Sequence, residues 1–231
     1  MAKDDIGYTK FHSDKATELF EKAHAHDTRV VLTLTIMEND TIRSFLDSQK
    51  AQKLAIYEAV QEVKNRGIDG VNIDIEYVGN PGKEYRDKFS RFMEDITTSM
   101  HKEVPGSRVT VSVYAASVKS QKLYDIASLG KTADAVFMMA YDFATSGSDN
   151  VIPTSPLYGY KEGKYWYDVS TAVEDFLAVM QNKKLILGLP WYGYNYPVAK
   201  PEIKAAKYEG YSYYYWQNYR RKLAHFRPTA N

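Results

Sequence analysis

Apolar and polar residues alternate strictly through Gly70–Glu76. Val71, Ile73 and Ile75 take one side and Asn72, Asp74 and Glu76 the other, the pattern of a strand with two chemically different faces. Further strand-like runs are Arg29–Thr35, Arg108–Tyr114, Asp134–Tyr141 and Lys184–Pro190, with Ile6–Thr9 as the remnant of another. Between them the spacing turns helical. Tyr85, Phe89, Phe92, Met93 and Ile96 share one helix face, as do Val173, Phe176, Leu177 and Met180. Asp40–Asn65 reads as another helical stretch, and Ser13–His26 as a shorter one behind a Ser13 cap. Strands alternating with helices predict βα units and a parallel sheet, either closed into a barrel or open and doubly wound. In a barrel, functional side chains gather at the C-terminal strand ends. Glu76, Tyr141-Asp142 and Trp191-Tyr192 all stand at such ends.

Burying acids without partners is costly, so the polar face of Gly70–Glu76 must meet water, a ligand or compensating groups. An edge strand with a solvated face is the plain explanation. The helical segments on both sides argue for a central strand, where two carboxylates on one face push each other's proton affinities apart.

Composition changes the picture little. The length suits one large domain or two small ones. A net charge of +1 offers no field for nucleic acid. No apolar run approaches a membrane span, and no charged-then-apolar signal segment precedes the body. Without cysteine there are no disulfides or thiolate metal sites. Twenty tyrosines and three tryptophans suit carbohydrate or peptide contact, although most are expected to be packing residues. After Pro197 the character changes: Tyr208–Tyr219 holds seven aromatics and Arg220–Arg227 is basic. We read 1–197 as the main domain and 198–231 as an insertion or a truncated end of it.

The run Asp69-Gly70-Val71-Asn72-Ile73-Asp74-Ile75-Glu76 resembles the DGxDxDxE signature of glycoside hydrolase family 18, at the end of that family's fourth barrel strand. Met138-Met139-Ala140-Tyr141-Asp142-Phe143 resembles its sixth-strand MxYD motif. Ser155-Pro156-Leu157 resembles the PL segment that follows, and Gly188-Leu189-Pro190-Trp191-Tyr192-Gly193 the seventh-strand GLPxYG. The similarity is greatest to chitinase, chitobiase and spore-cortex-hydrolase branches. It implies an α/β fold, the TIM-type (β/α)8 barrel, and hydrolysis of β-1,4-linked N-acetylglucosamine glycans: chitin oligomers, peptidoglycan or a glycoprotein core.

By the same resemblance Glu76 is the general acid. Asp74 orients the substrate's 2-acetamido group, whose carbonyl oxygen is the nucleophile, the substrate-assisted exception among glycosidases. Tyr141 hydrogen-bonds that carbonyl. Asn72, Asp142, Trp191 and Tyr192 bind the sugar. No metal and no cofactor is implied, and the family habit is an extracellular or envelope location. Four positions depart from the pattern. Asn72 stands where the signature often has Asp; Thr35-Ile36-Met37-Glu38 replaces SxGG; no first strand is evident before residue 6; and no final GGxxxW strand is evident, so Trp216 takes no role. An eight-fold barrel typically needs about 250 residues. Either its ends are remodelled or it is incomplete, with exposed apolar edges.

Each site has a plainer alternative. Asp69 fits a turn or structural acid before the strand. Asn72, Asp74 and Glu76 could hold a hard cation, but no further acidic cluster completes a shell. Tyr141-Asp142 could satisfy buried hydrogen bonds, and Trp191 and Tyr192 could be packing aromatics. His12, His24, His26, His101 and His225 lack metal or triad spacing and read as solvated. The Tyr208–Tyr219 cluster fits an aromatic patch better than a sugar platform, and Arg220–Arg227 a solvated helix end. Against hydrolysis stand a non-catalytic, lectin-like chitin- or peptidoglycan-binding module and an inactive part of a barrel.

Overall fold

A computed structural model describes residues 17–196, 198 and 202–206. Ile6–Thr9, His12, Ser13, the Tyr208–Tyr219 cluster, Trp216, Arg220–Arg227 and His225 lie outside the described residues. The elements run α1 (Thr17–Ala25), β1 (Leu32–Ile36), α2 (Asn39–Asp47), α3 (Gln49–Arg66), β2 (Gly70–Ile75), α4 (Lys83–Glu103), β3 (Arg108–Tyr114), α5 (Ile126–Thr132), β4 (Ala135–Met139), α6 (Val169–Val179), a 3-10 turn (Asn182–Lys184) and β5 (Leu185–Gly188). The described residues divide into two compact units. One comprises those within Met1–Met139 and Ala172–Leu187, the other those within Ala140–Thr171 and Gly188–Asn231.

The first unit carries the sheet, in the order β1-β2-β3-β4-β5. The first four strands pair in parallel, with Leu32 opposite Val71, Gly70 opposite Arg108 and Thr110 opposite Ala135. β2 is therefore a central strand, and the edge-strand explanation fails. Among the described residues the sheet stays open, with β1 and β5 at its edges. Ile186 and Leu187 on β5 are correspondingly more than two-fifths exposed.

Residues on the helix-covered side of the sheet carry the core. Val71, Ile73, Val109, Val111, Val113, Val136 and Met138 have no exposed surface, and Ile75 has almost none. α3 lies against β2, α4 against β3 and α5 against β4. They bring Ala59, Val60, Val63, Phe89, Phe92, Met93, Ile96, Met100 and Leu129, all buried. Phe45 from α2 meets Phe92 edge-on at 5.0 Å, the arrangement the ring quadrupoles favour.

The helical stretch expected over Asp40–Asn65 is two helices. Ser48 between them is extended, and its hydroxyl accepts the Ala51 N–H at 3.1 Å, starting α3. A serine that can cap competes with one that continues a helix. β4 stops at Met139 rather than Tyr141, and β5 at Gly188 rather than Pro190. A proline cannot donate to a ladder.

Two identical stitches tie neighbouring strands where they begin. The Asp69 N–H donates to Val30 O at 2.7 Å, while the Val30 N–H donates to Asp69 Oδ2 at 2.6 Å. The Asp134 N–H likewise donates to Val109 O at 2.8 Å and the Val109 N–H to Asp134 Oδ2 at 2.7 Å. Each carboxylate also meets a histidine at 2.9 Å, His24 for Asp69 and His101 for Asp134. Burial pushes both carboxyls up, but these hydrogen bonds outweigh it and hold them below their usual range. Asp69 is thus the structural acid its position suggested. His24 and His101, expected to be merely solvated, are partnered.

Candidate active site

The sequence-derived site residues fall into both units. In the first, Asn72, Asp74 and Glu76 occupy alternate positions along one side of β2 and its end, each partly exposed between fully buried neighbours. Asn72 is fully engaged by β3: its Nδ2 donates to Ser112 Oγ at 3.0 Å and its Oδ1 accepts from Thr110 Oγ1 at 2.8 Å. It is a fixed strut. Asp74 is different. Burial raises its carboxyl above the usual range, and its Oδ1 is buried without a hydrogen-bond partner among the described residues. A buried oxygen left in that state is costly and unusual.

Glu76 sits where β2 ends, its N–H donating to Ile36 O at 2.9 Å. The Tyr114 hydroxyl, at the end of β3, lies near enough to Glu76 to be influenced by its carboxylate. Burial, then the Glu76 charge, pushes the Tyr114 hydroxyl well above its ordinary value, so it remains a neutral donor. Tyr124, with no exposed surface, donates its hydroxyl to Ile75 O at 2.8 Å. Below this pair, on the N-terminal half of the same face, a cavity of about 840 Å³ is lined by Thr33, Asn72, Thr110, Ser112, Phe137 and Ile186 among others. Neither Asp74 nor Glu76 lines it.

The second unit brings Tyr141, Asp142 and Tyr192 together. Asp142 Oδ1 accepts from Tyr192 Oη and Tyr194 Oη, each at 2.7 Å, with the Thr154 hydroxyl at 3.5 Å. Asp142 adopts a left-handed backbone, φ 55°, which aspartate tolerates better than most residues. The Tyr141 and Tyr192 rings meet edge-on at 6.2 Å. Burial first, then the Asp142 carboxylate, pushes the Tyr192 hydroxyl up. Trp191 is 98% exposed, so it is not the packing aromatic its loop position allowed. Among the described residues no group of three or more His, Cys, Asp or Glu could hold a metal ion. No described helix is long and apolar enough to cross a membrane.

Sequence reasoning missed five residues of these arrangements. Tyr114 and Tyr124 read as packing aromatics, and Thr110 and Ser112 as ordinary strand residues. Parallel register alone pairs Asn72 with Thr110, so the strut was in principle readable once neighbouring strands were known. Tyr194 was also passed over. Its spacing of two from Tyr192 is the signal, since alternate residues of an extended chain share a side.

Comparison with known proteins places the chain in a family. The family model described as glycosyl hydrolases family 18 matches residues 3–228. Human di-N-acetylchitobiase is 32% identical over 185 residues, covering 78% of this chain and 44% of its own length. The chain thus spans less than half the length of that curated relative. Among solved structures, the putative sporulation-specific glycosylase YdhD of Bacillus subtilis superposes with a TM-score of 0.73 at 21% identity, over 90% of this chain and 66% of its own. Catalytic domain 2 of the Ostrinia furnacalis Group II chitinase gives 0.76 at 20% identity, over 88% and 58%. A mutant of that domain was solved in complex with penta-N-acetylchitooctaose (NAG)5. The five strands are thus part of a TIM-type (β/α) barrel, not closed among the described residues, and the chain belongs to the glycosyl hydrolases of family 18.

Proposed function

We propose that the protein hydrolyses β-1,4-linked N-acetylglucosamine glycans with retention of configuration, using Glu76 as general acid and the substrate's own acetamido group as nucleophile. One observation carries this reading: the polar face of β2, where the partnerless, buried Asp74 Oδ1 stands two residues from Glu76. An acetamido N–H is the donor that such an oxygen lacks. With that nitrogen held, the acetamido carbonyl oxygen attacks the anomeric carbon. The bond from that carbon to the leaving oxygen breaks, and the leaving oxygen takes the Glu76 proton. Water then attacks the anomeric carbon, giving its proton to the Glu76 carboxylate, and the oxazolinium ring opens to restore the acetamide. Tyr141 supports the acetamido carbonyl; Asp142, Tyr192 and Trp191 bind sugar. These roles come from the matching family motifs. The chitobiase and chitinase relatives support N-acetylglucosamine glycans as the substrate class.

The test is product analysis with chitooligosaccharides and with peptide-free peptidoglycan strands, which also separates chitin from peptidoglycan as substrate. Glu76→Gln abolishes cleavage while leaving oligosaccharide binding intact. Equal rates for the two proteins sink the assignment. Asp74→Asn loses most of the activity, and a β-glucan without N-acetyl groups is refused. The sheet edges, open among the described residues, favour a second reading, a lectin-like module or an inactive part of a barrel. Binding with no product from the unaltered protein selects it.

A further inference from the structure

We propose that Tyr114 is a positioning residue for the Glu76 acid, holding its carboxyl in one rotamer and lowering its affinity for a proton. This rests on the reading of Glu76 as the acid. β2 and β3 pair in parallel from Gly70 opposite Arg108 to Ile73 opposite Val111; beyond that pairing, where both strands end, the Tyr114 phenol is near enough to Glu76 to be influenced by its carboxylate. The tyrosine is itself immobilised. Its ring meets Tyr124 edge-on at 5.6 Å, and Tyr124 meets Phe89 edge-on at 5.7 Å.

Tyr124 donates to the carbonyl of Ile75, the residue before Glu76, and Ile36 accepts the Glu76 N–H. Backbone and side chain of the acid are thus held by separate groups. A side chain fixed from both directions loses no orientation entropy at the moment of proton transfer.

A phenol donating to a carboxylate stabilises the charged form. Among the described residues, titratable or charged groups near the pair include Asp74 on β2, Tyr124 after β3, and Lys122, whose ammonium lies 5.0 Å from the Tyr114 ring centre. β1 contributes Thr35 and Ile36, which do not titrate. A cation on the ring face draws electron density from the phenol and strengthens it as a donor.

The experiment compares the unaltered protein, Tyr114→Phe and Glu76→Gln. It follows the glutamate side-chain carboxyl ¹³C signals by NMR across pH and the pH profile of kcat/KM on a chitooligosaccharide. The signal absent in Glu76→Gln identifies Glu76. In Tyr114→Phe its midpoint and the basic limb of the profile rise by about one pH unit, kcat falls severalfold, and KM stays within about twofold. Site-specific 3-fluorotyrosine at 114 keeps the ring and strengthens the donor, so both move down; it serves if Tyr114→Phe does not fold. An unmoved midpoint with either replacement overturns the proposal. Hydrolysis by Glu76→Gln removes the acid reading instead, a result the two replacements do not produce.

Discussion

Replacing Gly70 by alanine breaks the start of the strand on which the site is built. Gly70 has φ 146°, in a region largely reserved to glycine. A Cβ added there lies 1.9 Å from the Arg108 carbonyl oxygen, a backbone atom that cannot rotate away. A carbon and a carbonyl oxygen need ~3.3 Å, so β2 and β3 must part by roughly 1.4 Å. The Arg108 N–H bond to Asp69 O, 2.8 Å long, lies at this point and stretches past any useful distance.

Backbone strain of about 1–3 kcal/mol and a lost hydrogen bond of about 1 kcal/mol give a cost of roughly 2–4 kcal/mol. That is a large share of a typical domain's ~5–15 kcal/mol. Gly67 is the control. It ends α3 at φ 62° with nothing within 4 Å of an added Cβ. Gly67→Ala therefore suffers backbone strain alone, about 1 kcal/mol. Urea denaturation followed by circular dichroism gives both values. If Gly70→Ala loses no more stability than Gly67→Ala, the argument from the strand contact is refuted.

Asp134→Asn weakens a stitch whose carboxyl lies below its usual range, so its stabilisation is present above the unfolded-state pKa of about 3.9 and fades as pH falls through the lower folded value. The variant is less stable by about 1–2 kcal/mol near neutrality and converges with the unaltered protein in acid; a gap independent of pH in urea midpoints contradicts this. Asp142→Asn removes the charge that burial adds to in holding the Tyr192 hydroxyl up. One tyrosine then ionises at lower pH in an ultraviolet titration, and an unchanged curve breaks the link.

Much of the fold lay in the period of the apolar residues. Five strands and their helices are written as alternation and as three-and-four spacing, and β2 was legible even to its two faces. Boundaries were less so, because Ser48 and Pro190 act through single hydrogen bonds that periodicity does not register. At the site, the residues whose chemistry is their own stood out: Asn72, Asp74, Glu76 and Asp142. Those defined by a neighbour did not. Tyr114 matters because folding sets it near Glu76, and Tyr124 because its hydroxyl reaches Ile75 O. Likewise His24 and His101 are unremarkable in sequence, and only folding brings each to its aspartate.

The paired stitches at Asp69 and Asp134 also act as a guard against misalignment. Strands with a period of two can err by one residue, and such an error turns every side chain over. For β2 it would drive Asn72, Asp74 and Glu76 into the layer under α3 and hand Val71, Ile73 and Ile75 to the wet face, forfeiting roughly 1.5–3 kcal/mol for each apolar side chain. Asp69 forbids the slip locally, because its carboxylate and its N–H must meet the same residue, Val30, at once. Shifting by one leaves both unmatched. Asp134 imposes the same double test against Val109 on the other side of β3. With alignment proofread where the strands start, their far ends are free to carry side chains chosen for chemistry, among them an Asp74 oxygen with no hydrogen-bond partner among the described residues.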